Sequence, residues 1–156
     1  MDGIRVVELP AATMVSSGEG DLAAFDQWWS TIDRQRKDRF FPRDFMWFDP
    51  EATRLVWYYA LPDGITDTGG YESVAFPGGL YAAAISRDQD DQDGERVYQA
   101  VREWVKSSGC FALDERPGRY TMWHVITSDV AFRAMGYRQL DLYVPIRVVE
   151  GAEAGL

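Results

Sequence analysis

The stretch Tyr71–Arg87, YESVAFPGGLYAAAISR, constrains the fold more than any other part of the chain. Two runs rich in β-branched and aromatic residues, Tyr71–Phe76 and Leu80–Ser86, flank Pro77-Gly78-Gly79. Such a break is a turn signal, because proline presets one backbone torsion and glycine accepts positive φ. The expectation is two strands joined as a hairpin, followed by a charged loop and an amphipathic helix. The glycines lead into a strand, whereas a pyrophosphate loop feeds a helix N-terminus, so a phosphate-binding role for them is excluded.

The same order occurs earlier in the chain. Ile4–Leu9 and Thr13–Ser16 read as strands on either side of a Pro10 turn. Leu22, Phe25, Trp28, Trp29 and Ile32 recur at helical spacing behind a capping Asp21, predicting a helix to about Phe41, stopped by Pro42. The charged half of that helix, Asp33–Arg39, is expected in solvent. Of the adjacent Trp28 and Trp29, only one is expected to face fully inward. Phe45–Phe48 and Leu55–Leu61 are the next strands, and Pro62–Gly70 reads as a linker between halves.

Beyond the opening stretch, Val97, Val101, Trp104 and Val105 mark a helix from about Asp93 to Ser107, with Asp93 as N-cap. Arg119–Ile126 reads as a strand, Ser128–Met135 as a short helix stopped by Gly136, and Leu140–Val148 as the last strand. Pro145 suggests that the outer part of that strand lies on a sheet edge. Residues 151–156 form a polar tail. The fold class is therefore α+β: one domain over residues 1–150, built as two pseudo-symmetric strand–helix–strand–strand repeats, about 1–62 and 71–149. These are expected to pack side by side around a central ligand groove.

Composition limits what such a domain does. The chain has 156 residues with 46% hydrophobic and 14% aromatic content, including 6 Trp, 8 Tyr and 8 Phe. That exceeds what a small core needs and leaves rings for a cavity or an interface. A net charge of −9 argues against nucleic-acid binding by this chain. One cysteine and one histidine exclude an internal disulfide and a Cys/His zinc site. Asp88–Glu95 invites a calcium reading but has Gln89 and Ala100 where an EF-hand needs acids. No metal and no cofactor are expected. Met1–Thr13 lacks a signal-peptide layout and no run approaches ~20 apolar residues, so a cytoplasmic protein without a membrane span is expected.

Four stretches carry a family resemblance: Val6-Val7-Glu8-Leu9-Pro10; Phe76-Pro77-Gly78-Gly79 followed by Tyr81-Ala82; Tyr98–Phe111 with Trp104 and Ser108-Gly109; and Leu140-Asp141-Leu142-Tyr143-Val144-Pro145-Ile146. In this order they resemble the GyrI-like (gyrase-inhibitor-like) family. Its members serve as effector-binding domains of AraC- and MerR-type regulators and also occur as stand-alone proteins. The resemblance implies a pocket for small aromatic, sometimes cationic molecules. Many members carry an acid in the strand matching Tyr120-Thr121-Met122-Trp123, but here Thr121 takes that place. Glu72 and Asp141 are the carboxylates left to replace it.

The resemblance assigns the Thr121, Trp123 face of its strand to the groove, which leaves His124 on the other face. Met46 and Phe48 are expected on the opposite wall, joined by Trp57 and Tyr59 if Met46 opposes Trp57, or by Tyr58 after a one-residue slip. Tyr81, Thr121, Asp141 and Tyr143 would orient a ligand, giving a candidate set of Met46, Phe48, Trp57, Tyr59, Tyr81, Thr121, Trp123, Asp141 and Tyr143. The function expected is non-catalytic binding of a flat, largely apolar, sometimes cationic molecule, as a sensor domain or a sequestering protein. No helix-turn-helix is visible, so operator binding would need a DNA-binding partner. One alternative is a hydrolase of electrophilic rings in which Glu72 or Asp141 activates water. The other is a protein-interaction module presenting Trp28 and Trp29.

Overall fold

The computed structural model describes residues 3–38 and 42–151. Among them the chain forms nine strands and three helices, an α+β protein, in two compact units. The smaller unit is Ala11–Pro77; the larger joins residues 1–10 to residues 78–156. Every strand pairing within either unit is antiparallel.

In the smaller unit, β2 (Ala12–Ser16), α1 (Leu22–Asp33), β3 (Asp44–Asp49), β4 (Arg54–Ala60) and β5 (Glu72–Phe76) make a sheet in the order β3-β4-β2-β5 with one helix. Asp21 caps α1, its carboxylate accepting from the amides of Ala23 and Ala24. Phe25 and Ile32 pack with Val15 and Tyr59, and Trp28, Trp29 and Trp57 close around them. Both adjacent tryptophans pack against this cluster half-buried, so the two do not both face fully inward. Trp29 stacks on Tyr59 at 5.1 Å, while Trp28 meets the same ring edge-on at 6.3 Å. Successive helical residues diverge by about 100°, and two long indoles bridge that angle by gripping one ring from two sides. The helix ends at Asp33, well short of Phe41; residues 39–41 lie outside the described region. Of its charged end, Arg34, Lys37 and Asp38 are exposed as expected, whereas Asp33 and Arg36 are not. Asp33 accepts from Arg43 at 2.6 Å and from the Tyr59 hydroxyl at 3.0 Å, and Arg36 donates to the Ala60 carbonyl.

In the larger unit, β1 (Arg5–Leu9), β6 (Gly79–Arg87), α2 (Asp91–Ser107), β7 (Phe111–Leu113), β8 (Met122–Val125), α3 (Asp129–Met135) and β9 (Gln139–Val148) follow in chain order. The sheet order is β8-β9-β6-β1, and β7 pairs with the far end of β9. The hairpin expected at Pro77 does not form: β6 pairs with β1, while β5 pairs with β2. Gly78 and Gly79, at φ of 67° and 117°, carry the chain from β5, paired to β2, into β6, paired to β1, instead of folding it back. Pro145 does not lie on an edge either. It faces Tyr81 of β6, and on its other side it falls in the gap between the residues paired to β8 and those paired to β7. There its missing N–H costs no ladder bond. The α2 cap is Asp90 rather than Asp93, because Asp93 is used to accept from the Arg87 amide at 2.8 Å. β7 went unread in the sequence; Ser128 caps α3, and Gly136 stops it as expected, in the left-handed region.

Candidate functional site

Alternation along each strand gives the larger sheet two unlike faces. One carries Ala82, Ala84, Leu142 and Val144, which with Ile4 and Ile146 pack under Val97, Val101 and Val105 of α2. Alanine at two successive inward positions of β6 lets the helix approach closely. The other face carries the alternate residues. Cross-strand partners share a face, and the register places Arg5 opposite Ala83, Ala83 opposite Tyr143, Tyr143 opposite Met122, and Asp141 opposite His124. No helix of this unit packs among these residues in its core cluster.

Asp141 is the centre of that second face. It is 8% exposed, and both its oxygens are engaged: Oδ1 accepts from Arg5 Nη2 at 2.9 Å, and Oδ2 from the Tyr143 hydroxyl at 3.1 Å. Burial, and then the charge of Asp141, push the Tyr143 phenol well above its ordinary range, so it acts as a proton donor to the carboxylate. Tyr81 stands edge-on to Tyr143 at 6.1 Å and is fully buried, and its hydroxyl has no hydrogen-bond partner among the described residues. Burial raises the Tyr81 phenol pKa too, and the nearby Arg119 charge offsets part of that rise.

Arg119 holds this corner in place. Its guanidinium lies 4.4 Å from the Tyr81 ring centre, donates to the carbonyls of Gly78, Leu80 (2.6 Å) and Ile146 (3.2 Å), and pairs with Asp114 at 3.1 Å. Asp114 also takes two bonds from the Arg116 side chain, and these arginines hold its carboxyl down to about 2. The β6 entry is thus fixed by a buried ion pair with three backbone anchors.

Of the residues expected to form a site, the structure brings Tyr81, Asp141 and Tyr143 together. Trp123 lies on the opposite face, against the α2 cluster, and Thr121 precedes β8. Met122 and His124 take their place beside Tyr143 and Asp141, so His124 is on the side that the sequence reading denied it. Glu72 is exposed at the start of β5, in the smaller unit. In that unit Met46 does oppose Trp57, as the first alternative required. The face they share is nonetheless the α1 face, where Trp57 and Tyr59 belong to the helix cluster; Phe48, with the same alternation, is 46% exposed. The sheet face away from α1 carries Met14, Phe45, Trp47, Val56, Tyr58 and Phe76, all buried. Among the described residues no group of three or more His, Cys, Asp or Glu side chains is gathered for a metal ion. No described helix is long and apolar enough to cross a membrane.

No protein-family model matches the chain, and no curated protein sequence matches it. Solved structures do. A hydrolase from Listeria innocua aligns at 13% identity and a TM-score of 0.63, covering 92% of this chain and 91% of its own. SAV2435, solved bound to tetraphenylphosphonium, aligns at 10% identity and a TM-score of 0.53, over 97% and 96%. The C-terminal domain of EcmrR aligns at 12% identity and a TM-score of 0.58, over 94% and 98%; in an EcmrR–DNA complex the chain spans 57% of the EcmrR polypeptide. The fold is that of the GyrI-like effector-binding domains.

Proposed function

We propose that this protein binds a flat, largely apolar small molecule without transforming it, on the sheet face of the larger unit that carries Tyr81, Tyr143 and Asp141. The observation that carries this reading is the fully buried Tyr81 hydroxyl without a partner, on a ring that meets Tyr143, whose own hydroxyl binds the buried Asp141. An unpaired buried polar group costs about 1–3 kcal/mol, which a ligand acceptor would recover. Tyr81 and Tyr143 offer two rings at right angles, and Met122 offers a deformable filler between strands. The tetraphenylphosphonium held by SAV2435 on the same fold supports a bulky aromatic ligand, and the EcmrR likeness supports service as an effector domain, with a DNA-binding partner. In this reading the chain is a duplicated strand–helix–strand–strand unit, supported by the corresponding strand orders β3-β4-β2-β5 and β8-β9-β6-β1.

The test is a fluorescence titration with Nile red, a planar neutral dye. Micromolar binding is expected, weakened about three- to tenfold by Tyr143→Ala, as loss of one ring contact implies. Unchanged affinity in a folded Tyr143→Ala variant would remove the site.

Hydrolysis is the second reading, favoured by His124 directly across from Asp141 and by the Listeria hydrolase on the same fold. Against it, Arg5 and the Tyr143 hydroxyl already occupy both oxygens of Asp141, so neither oxygen is open to take a proton from water. Glu72 is exposed at the start of β5 and has no enclosed surface around it to hold a substrate. The packing of Trp28 and Trp29 around Tyr59 leaves the protein-interaction reading without a free indole pair.

A further inference from the structure

The ligand-binding reading leaves open which charge the ligand bears, and the Asp141 contacts bear on that question. A buried carboxylate in an aromatic site attracts cations when it is the only charge present. Here it is not. Oδ1 is taken by Arg5 of β1, which reaches across β6, and Oδ2 by the Tyr143 phenol, so the anion enters the site already neutralised. The fixed charges on this pair sum to zero.

Arg5 and Asp141 are unequally held. The Asp141 side chain is 11% exposed, whereas that of Arg5 is 53% exposed and Asp141 is its one ion-pair partner among the described residues. A permanent organic cation would have to displace Arg5 to reach Asp141. It would exchange a charge-assisted hydrogen bond for a contact that a quaternary centre cannot make directionally. It would also bring a second positive charge next to a guanidinium. A neutral aromatic molecule meets neither cost, and its hydrogen-bond acceptor finds the Tyr81 hydroxyl, which is buried and unpartnered. We propose that Arg5 is a built-in counter-ion of Asp141 that sets the charge selectivity of the site, so that it takes neutral aromatic molecules bearing a hydrogen-bond acceptor in preference to permanent organic cations. The inference rests on the ligand-binding reading above. Arg5 acts through Asp141 and is a positioning residue.

Three probes of similar shape and different charge test it by calorimetry on the whole chain: triphenylphosphine oxide (neutral, with an acceptor oxygen), tetraphenylphosphonium and tetraphenylborate. The wild type should bind the oxide tightest. Arg5→Gln should raise affinity for tetraphenylphosphonium by about fivefold or more, the scale of freeing a partly exposed ion pair, and should lower affinity for tetraphenylborate. Arg5→Lys should keep the wild-type ranking. A merely structural effect of Arg5→Gln would move both ions in the same direction. That result, or a change under about twofold for both, overturns the counter-ion role while leaving the binding site standing. Wild-type preference for tetraphenylphosphonium over the oxide also overturns it. If the wild type binds none of the three probes nor Nile red, the binding reading falls, and this inference with it.

Discussion

The ion pair behind Tyr81 predicts a specific acid sensitivity. Asp114 is among the most buried side chains of the larger unit, and its carboxyl is lowered from 3.8 to about 2, first through its bonds to Arg116 and then with the help of Arg119. A folded-state pKa below the unfolded one means that the unfolded chain takes up its proton first as pH falls. The stabilisation is therefore fully present above about pH 5 and is lost as pH drops through the interval between the two values. A gap of this size is worth about 2 kcal/mol near neutrality, and about half of it is gone by pH 3. Asp114→Asn keeps the side-chain shape but cannot ionise, so its stability should lack this component. Urea unfolding followed by tryptophan fluorescence at pH 6 and pH 3 gives the comparison. The wild type should lose about 1 kcal/mol more than Asp114→Asn over that range. Asp93, also lowered by its bond to Arg96, is common to both proteins and cancels. Parallel pH dependence of the two would refute the assignment of this pair as the acid-labile support of the site.

Two further predictions concern packing. Gly79 has φ of 117°, and a Cβ there would lie 2.7 Å from Arg119 Nη1. Gly79→Ala should destabilise the fold by about 1–3 kcal/mol, whereas Gly94→Ala, in open space within α2, should be neutral or stabilise by up to about 1 kcal/mol; thermal melts distinguish the two. Tyr59→Phe removes a bond to Asp33 while leaving the Trp28 and Trp29 contacts in place. It should cost about 1–2 kcal/mol in urea unfolding without changing the near-ultraviolet signature of the tryptophan cluster.

The elements were legible wherever periodicity and punctuation agreed: the Val97, Val101, Val105 stripe, the Ser128 cap and Gly136 stop, and the strand runs on either side of Pro10 and Pro77. The pairing was not. Pro77-Gly78-Gly79 carries the same local chemistry whether the chain folds back on itself or the two strands pair elsewhere, and only long-range contacts decide between the two. The site was legible where one side of a strand is distinct. In YAAAIS the bulky Tyr81 alternates with the alanines that α2 needs, so the face it takes is readable, and the β6–β9 register sets Tyr143 and Asp141 on that same face. It was illegible where both sides are apolar. Val56 and Tyr58 are as hydrophobic as Trp57 and Tyr59, and α3 with its loops separates β8 from β9, so no short turn fixes which of Trp123 and His124 joins Asp141. Arg5 was missed because its partner lies 136 residues away. Asp33 and Arg36 were read as solvated because nothing local announces Arg43 and Ala60 as their partners.

The larger unit contains two buried carboxylates, and the difference in their partners separates stability from selectivity. Asp114 faces Arg119, whose side chain is 6% exposed and spends its other donors on the carbonyls of Gly78, Leu80 and Ile146. Removing Asp114 leaves the buried Arg119 guanidinium without its counter-charge, and breaking such a pair costs about 3–5 kcal/mol, whereas removing Arg119 leaves Asp114 on Arg116 but takes away the three backbone anchors. Asp141 faces Arg5, whose half-exposed guanidinium can swing into solvent at little cost, while the Tyr143 hydroxyl stays with the carboxylate. Substitutions at Arg5 should therefore alter which ligands bind while the fold persists. Substitutions at Arg119 should remove the fold and the site together. The two arginines serve different members of the ring pair: Arg119 is bonded rigidly over Tyr81, and Arg5 is held exchangeably by the carboxylate that Tyr143 also binds. A site built this way can change its charge preference through Arg5 without disturbing the rings that supply its contact area.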